Sequence, residues 1–284
     1  MNNNLSQYSR IITSQCGEDG IIEEIFKRIG AVNRVCVEFG AWDGKTLSNT
    51  WELWHNRGWS ALLIESDINK FKELQDNTKE FSKVTAFNAV IRHCGPDSLD
   101  NVLSKFSLPV NLDLISIDID GDDYYIFESL NNFRPRVIAI EYNSTIPPEL
   151  EIIQNSGQHL GASALALIKL AARKGYKFAY CTKTTCFFVS NEEFHKLGID
   201  EPSLRDIFPI EDLRYVIISY DSHTFMNKDL WSFMPLKSIT SPRSVLFSFL
   251  KGLKQSITHK KTEAGKNLIP VAIFRRDKQV RKRG

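Results

Sequence analysis

The feature that most constrains the fold is an alternation of short apolar runs with segments of helical periodicity. There are five apolar runs, at residues 34–39, 60–65, 84–91, 112–118 and 136–142, and each of the first four is followed by a segment that is predicted to be helical. Strands that are apolar throughout are buried on both faces, and strands that alternate with helices run parallel. The sequence therefore predicts an α/β fold in which helices cover both faces of a parallel sheet.

The pattern changes after the fifth run. An irregular stretch from Asn143 to Leu160 leads into a helical segment, and two further apolar runs follow at 176–181 and 185–190. Only a few residues separate these two runs, and so short a link permits an antiparallel hairpin but no parallel crossover. The prediction is a seven-stranded, mostly parallel sheet that ends in an antiparallel hairpin. This is the strand plan of Rossmann-like class I methyltransferases, which use S-adenosylmethionine, although the plan alone only suggests that fold.

Charge and periodicity divide the chain into four predicted parts. Residues 1–30 form a helical segment, 31–190 the α/β domain, 191–236 an extension that packs or contacts substrate, and 237–284 a basic tail. The tail holds 13 Lys and Arg against two acids, whereas the rest of the chain holds 23 basic and 32 acidic residues. An acidic body therefore carries a basic C-terminal extension.

Apolar residues of the tail fall on one face of a predicted helix within 244–257. A basic amphipathic helix can pack against its own protein or lie on an anionic membrane surface. The basic end of the chain could also bind nucleic acid, but no aromatic stacking platform accompanies it. We rank packing with a solvated end first, membrane contact second and nucleic acid last.

Cysteine usage and hydropathy indicate the compartment. The five cysteines include no C-x-x-C pair, which is typical of a reducing environment rather than of a disulfide framework or a zinc site. The N-terminus is polar, and no run approaches the roughly 18 apolar residues that span a bilayer. We expect a soluble, cytoplasmic body, peripheral at the inner membrane face if the tail binds lipid.

The stretch VEFGAWDGKTLSNT follows the first predicted strand into its turn. Gly40 and Gly44 allow close approach to the backbone, and Glu38 precedes them. Dinucleotide enzymes prefer G-x-G-x-x-G, whereas an acid at this place suits a positively charged ligand such as the amino group or sulfonium of S-adenosylmethionine. The alternative is an ordinary tight turn with a solvated acid.

Polar residues also end the second and third predicted strands. Glu65 lies about 20 residues beyond Gly44, the offset expected of an acid that accepts both ribose hydroxyls. Ligands of open α/β sheets bind beyond the carboxyl ends of the strands, where Glu65 is expected. Asn88 is predicted either to face an adenine edge or to serve as a plain turn residue.

The stretch ISIDIDGDDYY places four carboxylates within six residues, and closely spaced carboxylates repel one another. Asp118 ends the fourth predicted strand, whereas Asp122 and Asp123 can be charges in a first helical turn. An EF-hand is excluded because the glycine is not at the sixth position and a strand, not a helix, precedes the loop.

Glu141 and Asn143 end the fifth predicted strand, next to the fourth. Together with Asp118 and Asp120 they supply oxygen ligands for a hard divalent cation such as Mg²⁺. An acidic pocket that binds only the methionine amine needs no metal, so both interpretations stay open. His159 in the following loop is predicted either to act as a general base or to be simply exposed.

These motifs together resemble the FkbM-type methyltransferases. The resemblance covers about residues 14–190 and rests on the stretches VEFGAWDGKTLSNT, LLIES, ISIDIDGDDYYIFESL, VIAIEYNS and GASALALIKLAARKGYKF. It implies S-adenosylmethionine-dependent O-methyl transfer to a hydroxyl of a sugar, glycan or natural product. The candidate catalytic residues are Asp118, Asp120 and His159. The candidate cofactor contacts are Glu38, Gly40, Ala41, Trp42, Gly44, Asn49, Glu65, Ser66, Asn88 and Asp118.

The segment IDIDGDDY is also similar to the D-G-D-x-Y of metal-dependent macrocin-type O-methyltransferases. Those enzymes carry an acid pair after the fifth strand, where this chain has Glu141, Tyr142 and Asn143, and this departure leaves the metal open. Two rival functions remain: a cofactor-binding scaffold without turnover, and a nicotinamide-dependent enzyme of related fold.

Overall fold

A computed structural model describes residues 4–210 together with 213, 216–218 and 224–226. The chain divides into two compact units, Met1–Leu213 and Arg214–Gly284. In the second unit the described residues form an antiparallel pair of strands, Val216–Ile218 and Thr224–Met226. The predicted amphipathic helix and basic tail lie outside the described residues.

The first unit is built on the predicted seven-stranded sheet. Its strands are β1 (Val35–Phe39), β2 (Ser60–Glu65), β3 (Val84–Asn88), β4 (Leu114–Ile117), β5 (Val137–Glu141), β6 (Tyr176–Cys181) and β7 (Thr185–Ser190). Their order is β3-β2-β1-β4-β5-β7-β6, with β7 antiparallel to both of its neighbours and the other neighbouring pairs parallel. The prediction of a Rossmann-like class I methyltransferase fold is confirmed.

Seven α-helices lie in the described part of the first unit. They are α1 (Glu18–Ile29), α2 (Ile68–Thr78), α3 (Leu99–Leu103), α4 (Asp123–Ser129), α5 (Ala164–Arg173), α6 (Asn191–Phe194) and α7 (Leu204–Ile207). Asp67 caps α2, because its carboxylate accepts hydrogen bonds from the amides of Asn69 and Lys70. The helix expected between β1 and β2 is instead one π-helical turn, Glu52–Asn56, followed by Gly58 at φ +66°.

Apolar residues of the strands alternate between two cores. In β1, Val37 and Phe39 belong to the core on one face of the sheet, whereas Cys36 belongs to the core on the other face. Helices α3, α4 and α5 contribute to the first core, and α1 contributes to the second. Two-sided burial explains why the strands are apolar throughout.

The register brings the carboxyl ends of three strands to one place. Strand β4 lies between β1 and β5, with Phe39 opposite Ile117 and Ile117 opposite Ile140. Residues that follow these positions therefore meet at one edge of the sheet, which we call the carboxyl edge.

The segment before α1 crosses the same edge. Ser14 forms a parallel bridge with Leu47, and the Asp19 carboxylate accepts hydrogen bonds from the amides of Ile12, Thr13 and Ser14. This fixes residues 12–19 beside the ends of the strands. Of the helices in the described part of the chain, none is long and apolar enough to span a membrane.

Candidate active site

Two adjoining cavities open at the carboxyl edge. The first, of about 450 Å³, lies over the ends of β1, β2 and β4, and the second, of about 270 Å³, lies beneath the loop that follows β5. Asp120, Glu141 and Thr184 line both cavities. A ligand in the first cavity and a second molecule in the other would therefore meet at these three side chains.

The two glycines of the first turn have different roles. Gly40 has φ +76° and lines the first cavity, and a Cβ atom there would overlap the backbone oxygen of Asp118. Gly44 has φ +83° and packs against the Leu74 side chain of α2, away from the cavity wall. Gly40 thus lets the ends of β1 and β4 approach each other, whereas Gly44 lets the turn after β1 pack closely against α2.

Glu38 is buried beside the first cavity and fixes the 48–50 segment. Its carboxylate accepts hydrogen bonds from the Ser48 hydroxyl at 2.6 Å, the Thr50 hydroxyl at 2.7 Å and the Asn49 amide at 2.7 Å. Burial raises the pKa of Glu38 despite these hydrogen bonds, and the nearby Asp118 charge raises it further. The sequence predicted a direct ligand contact; the structure adds that Glu38 organises the loop around the cavity.

Glu65 presents a pre-positioned carboxylate to the same cavity. One of its oxygens accepts a hydrogen bond from the Trp42 amide at 2.9 Å, and the other accepts one from the Asp67 amide at 2.7 Å. The second oxygen also lies 3.4 Å from the rotatable Ser66 hydroxyl, whereas the first keeps a lone pair open for a ligand hydroxyl. This geometry fits the predicted contact with a diol such as ribose.

Of the other candidate cofactor residues, Trp42, Ser66 and Asp118 line the first cavity, whereas Ala41, Asn49 and Asn88 do not. The side-chain NH₂ group of Asn88 donates to the backbone oxygen of Glu65 at 2.7 Å, and the side-chain NH₂ group of Asn49 donates to the Ser116 hydroxyl at 3.1 Å. These two side chains support the wall of the first cavity and do not line it.

Three carboxylates converge between the cavities. Oxygens of Asp118, Asp120 and Glu141 lie within 4.8 Å of one another. Burial, followed by the Asp118 charge, raises the pKa of Glu141 to about 9, and burial with the Asp120 charge raises that of Asp118 to about 6. Without a bound cation, the raised pKa of Glu141 favours its protonated form at neutral pH, and this form can donate a hydrogen bond to the Asp118 carboxylate.

Asp122 and Asp123, at the start of α4, accept hydrogen bonds from neighbouring loops and fix their positions. The Asp123 carboxylate accepts from the amides of Ile119 at 2.9 Å and Gly121 at 3.0 Å, and burial raises its pKa to about 7. The Asp122 carboxylate accepts from the Gly157 amide at 2.8 Å. Asp122 occupies the N-cap position of α4 without a capping hydrogen bond from its side chain, so its main contact is with the loop after β5.

Asn143 was predicted as a metal ligand, but its side chain makes hydrogen bonds within the loop that follows β5. Its side-chain oxygen accepts hydrogen bonds from the amide and hydroxyl of Thr145, and its NH₂ group donates to the backbone oxygen of Leu160 at 2.7 Å. Both lone pairs of the oxygen are therefore engaged within the loop. Asn143 lines the second cavity but offers no free oxygen to a cation in this arrangement.

His159 is held at the second cavity by one ring nitrogen. Its Nδ1 lies 2.9 Å from the backbone oxygen of Asp120. A carbonyl oxygen can only accept, so Nδ1 carries the hydrogen and the neutral ring keeps Nε2 as an acceptor. That tautomer is the one required of a base that acts through Nε2.

Backbone strain is concentrated at the two cavities. Trp42, Leu47 and Asp120 have φ of +48°, +59° and +57°, and all three line a cavity. A left-handed conformation costs a residue with a side chain roughly 1–2 kcal/mol. Among the described residues Arg34 is the other example, at the start of β1. Strain of this kind is typical of functional sites.

Sequence reasoning missed several cavity residues, and three of them are polar or charged residues from separate parts of the chain. Lys70 lines the first cavity with its ammonium 4.3 Å from the Trp42 ring centre, Gln15 lines it from the segment before α1, and Thr184 comes from the β6–β7 turn. Lys70 lies in the first turn of α2, just beyond Glu65, and this position close to a strand end could have identified it from the sequence. Gln15 and Thr184 come from distant parts of the chain and carry no local signal.

No protein-family model matches the chain, and no curated protein matches it. The FkbM resemblance therefore remains a prediction. Solved structures do resemble the fold. The citrinin polyketide synthase CMeT domain is 13% identical with a TM-score of 0.42, over 61% of this chain and 50% of that one. The match thus spans half the length of that domain.

Two further structures are similar at the same level. The METTL16 MTase domain is 14% identical with a TM-score of 0.40, over 60% of this chain and 66% of that one. TrmK of M. capricolum, in complex with S-adenosyl-homocysteine, is 13% identical with a TM-score of 0.38, over 87% and 88% of the two chains. Likeness this distant carries no argument about activity, and the fold rests on strand order and register.

Proposed function

We propose that the protein is an S-adenosylmethionine-dependent methyltransferase that transfers a methyl group to a hydroxyl oxygen. The observation that carries this proposal is the pair of cavities that meet at Asp120 and Glu141. One cavity is large enough for a cofactor, since ligand sites usually measure about 300–1,000 Å³. The other would admit the acceptor.

The first cavity fits a cationic ligand with a ribose. Glu38, Glu65, Asp118, Asp120 and Glu141 line it, and Lys70 is its one lysine or arginine among the described residues. Glu65 would bind the ribose hydroxyls, and Asp118 would lie near the positive end of the cofactor. S-adenosylmethionine supplies a methyl group activated by a positively charged sulfur.

The second cavity supports a hydroxyl acceptor. Its lining includes His159, Ser144 and the carboxylates of Asp120 and Glu141, which can hydrogen-bond to the hydroxyls of a sugar, a glycan or a polar natural product. His159 Nε2 would take the proton from the reacting hydroxyl. Methyl transfer depends mainly on proximity and alignment, so a positioned, deprotonated hydroxyl is sufficient.

The carboxylate trio also fits a divalent cation. Asp118, Asp120 and Glu141 supply oxygen donors, which Mg²⁺ prefers, and a bound cation would offset their mutual repulsion. A cation bound there would lower the pKa of an acceptor hydroxyl. The trio equally fits the cofactor's own positive charge. Retained activity in EDTA would exclude a required metal, whereas loss of activity with recovery in Mg²⁺ would support it.

A nicotinamide enzyme fits less well. Dinucleotides place their pyrophosphate at the N-terminus of a helix after the first strand. After β1 this chain has an irregular loop and one π-helical turn, and acids dominate the cavity. A cofactor-binding scaffold without turnover would have the same cavity, so only an assay of methyl transfer separates it from the enzyme.

Binding and transfer measurements test these functions separately. We expect calorimetry to show binding of S-adenosylhomocysteine but not of NADH. Glu65→Gln should weaken that binding about tenfold or more, because a hydrogen bond to a charged group contributes about 1.5–3 kcal/mol. Glu80→Gln, which removes an exposed acid outside both cavities, is the matched control. Binding of NADH alone would refute the proposal.

Labelled S-adenosylmethionine and a panel of sugars, glycans and polyhydroxylated natural products test transfer. Label in an ether-linked methyl group of an acceptor supports the proposal. Tight cofactor binding without transfer to any acceptor in the panel favours the scaffold.

A further inference from the structure

A third cavity, of about 250 Å³, lies at the opposite edge of the sheet from the candidate active site. It is formed where α4 and α5 end and where β6 begins. Three basic side chains, Arg134, Arg173 and Lys174, line it above the rings of Phe127 and Tyr176. The candidate methyltransferase function does not use this cavity.

Two of the three basic side chains lie against the rings of Phe127 and Tyr176, which form the floor of the cavity. The Arg134 guanidinium lies 5.7 Å from the centre of the Tyr176 ring, and the Lys174 ammonium lies 5.8 Å from the centre of the Phe127 ring. The two rings meet edge to face at 6.1 Å. Cation–π contacts of this kind fix side chains that otherwise move freely in solvent.

Hydrogen bonds add to this preorganisation. The Lys174 ammonium donates to the backbone oxygen of Glu128 at 2.9 Å and to the Asn131 side-chain oxygen at 3.2 Å, which leaves one of its three N–H groups. The Arg134 guanidinium donates to the backbone oxygen of Lys174 at 3.2 Å. The absence of a Cβ at Gly175 gives this guanidinium room, since a Cβ there would lie 3.0 Å from it.

Positive charge in this cavity is poorly neutralised. Among the described residues, neither Arg173 nor Lys174 has a carboxylate within ion-pair distance, and Arg134 has Glu192 at 4.0 Å on the exposed surface. Burial lowers the pKa of Lys174, although the more distant charges of Asp100 and Glu128 act in the opposite direction. The nearby Arg134 charge lowers the pKa of Lys174 further, so an anion bound between these side chains would stabilise the half-buried ammonium.

A purely structural role explains the cluster only in part. Basic side chains stabilise the C-terminal ends of helices, and Lys174 at α4 and Arg134 at α5 do so here. Arg173 is the last residue of α5, where its charge is favourable, but its guanidinium donates to the Tyr124 hydroxyl at 3.0 Å and not to a helix carbonyl. Most of the N–H groups of the two guanidiniums are not needed for these contacts.

The geometry points to an anion-binding site formed by Arg134, Arg173 and Lys174 that takes a phosphate monoester. Guanidinium groups match phosphate oxygens in pairs, and an ammonium adds a point charge. The cavity is larger than a phosphate ion and has an aromatic floor, so a small organic group attached to the phosphate would fit beside it. The phosphate could belong to a soluble metabolite or to a lipid headgroup.

Calorimetric titration of the full chain tests the site. Inorganic phosphate and a sugar phosphate are the soluble probes, at constant ionic strength maintained with NaCl. Phosphatidylcholine vesicles with and without phosphatidic acid are the lipid probe. We expect saturable binding of at least one probe and about a tenfold loss of affinity in Arg173→Gln, as for loss of a charge-assisted hydrogen bond.

The control variant is Lys79→Gln, which removes the same charge at the exposed end of α2 and should bind like the wild type. Arg134→Gln is a second variant of the site, and thermal unfolding without ligand shows whether each variant is folded. Binding only to phosphatidic acid vesicles, weakened in Arg173→Gln, would assign the phosphate to a lipid. Absence of saturable binding to every probe, or equal affinity in Arg173→Gln and Lys79→Gln, would overturn the inference.

Discussion

The proton held by the carboxylate trio gives the sharpest prediction. Glu141 has an ordinary pKa of 4.5 and a pKa of about 9 in the folded protein, because it is buried next to Asp118. Between these two values the folded chain binds one proton more than the unfolded chain does. The contribution of Glu141 to stability is therefore full below pH 4.5 and is lost as pH rises toward 9.

The size of the effect follows from the difference of one proton. The free energy of unfolding should fall by about 1.4 kcal/mol per pH unit on account of Glu141, or by about 4 kcal/mol between pH 5 and pH 8. Asp118 and Asp123, whose pKa values rise to about 6 and about 7, steepen the lower part of this range. Glu141→Gln keeps the shape of the side chain but removes its titration.

Urea unfolding at 25 °C, in EDTA and without cofactor, measures the difference. We expect the wild type to lose about 4 kcal/mol more than Glu141→Gln between pH 5 and pH 8, and Glu80→Gln to follow the wild type. Parallel curves for the wild type and Glu141→Gln would refute the raised pKa. If the trio binds Mg²⁺, adding it should flatten the wild-type curve, because a cation favours the ionised form.

Three further predictions concern single side chains. Gly40→Ala should destabilise the fold by about 2–5 kcal/mol, since its Cβ would overlap the Asp118 backbone at positive φ, and urea unfolding will show whether it does. His159→Gln should lower the rate of methyl transfer roughly 100-fold with unchanged affinity for S-adenosylhomocysteine, and equal loss of both would contradict the base role. Asp113→Ala should cost about 3–5 kcal/mol because it removes the buried ion pair with Arg136 and leaves the backbone amides of residues 32–34 without their acceptor, and a midpoint of thermal unfolding close to that of the wild type would contradict this.

Periodicity was sufficient for the sheet but not for the segment between β1 and β2. The apolar runs predicted every strand of the seven-stranded sheet, including the terminal hairpin, because strands that are buried on both faces are apolar throughout. The strand pair Val216–Ile218 and Thr224–Met226 was not predicted. The segment after the first apolar run was expected to be an α-helix, and the structure has one π-helical turn there. Local hydrophobic spacing does not distinguish a short π-helical turn from an α-helix, because both bury the same side chains.

The candidate site was predictable to the extent that strand ends are predictable. Glu38, Glu65, Asp118 and Glu141 end strands whose neighbours the topology determines, and all four line the first cavity. Asn143 follows β5 closely, but its side-chain amide is engaged by Thr145 and Leu160 within the loop. The direction of a side chain in a loop depends on hydrogen bonds that residue spacing does not reveal.

The sequence by itself determined the α/β architecture, the strand plan and the acidic character of the carboxyl edge, because these follow from which residues are apolar and where the strands stop. Tertiary structure alone decided that Gln15 and Thr184 join the first cavity, that His159 meets the Asp120 carbonyl, and that Arg134 lies beside Arg173 and Lys174. These contacts join residues far apart in the chain, and they depend on how helices and loops pack against the finished sheet.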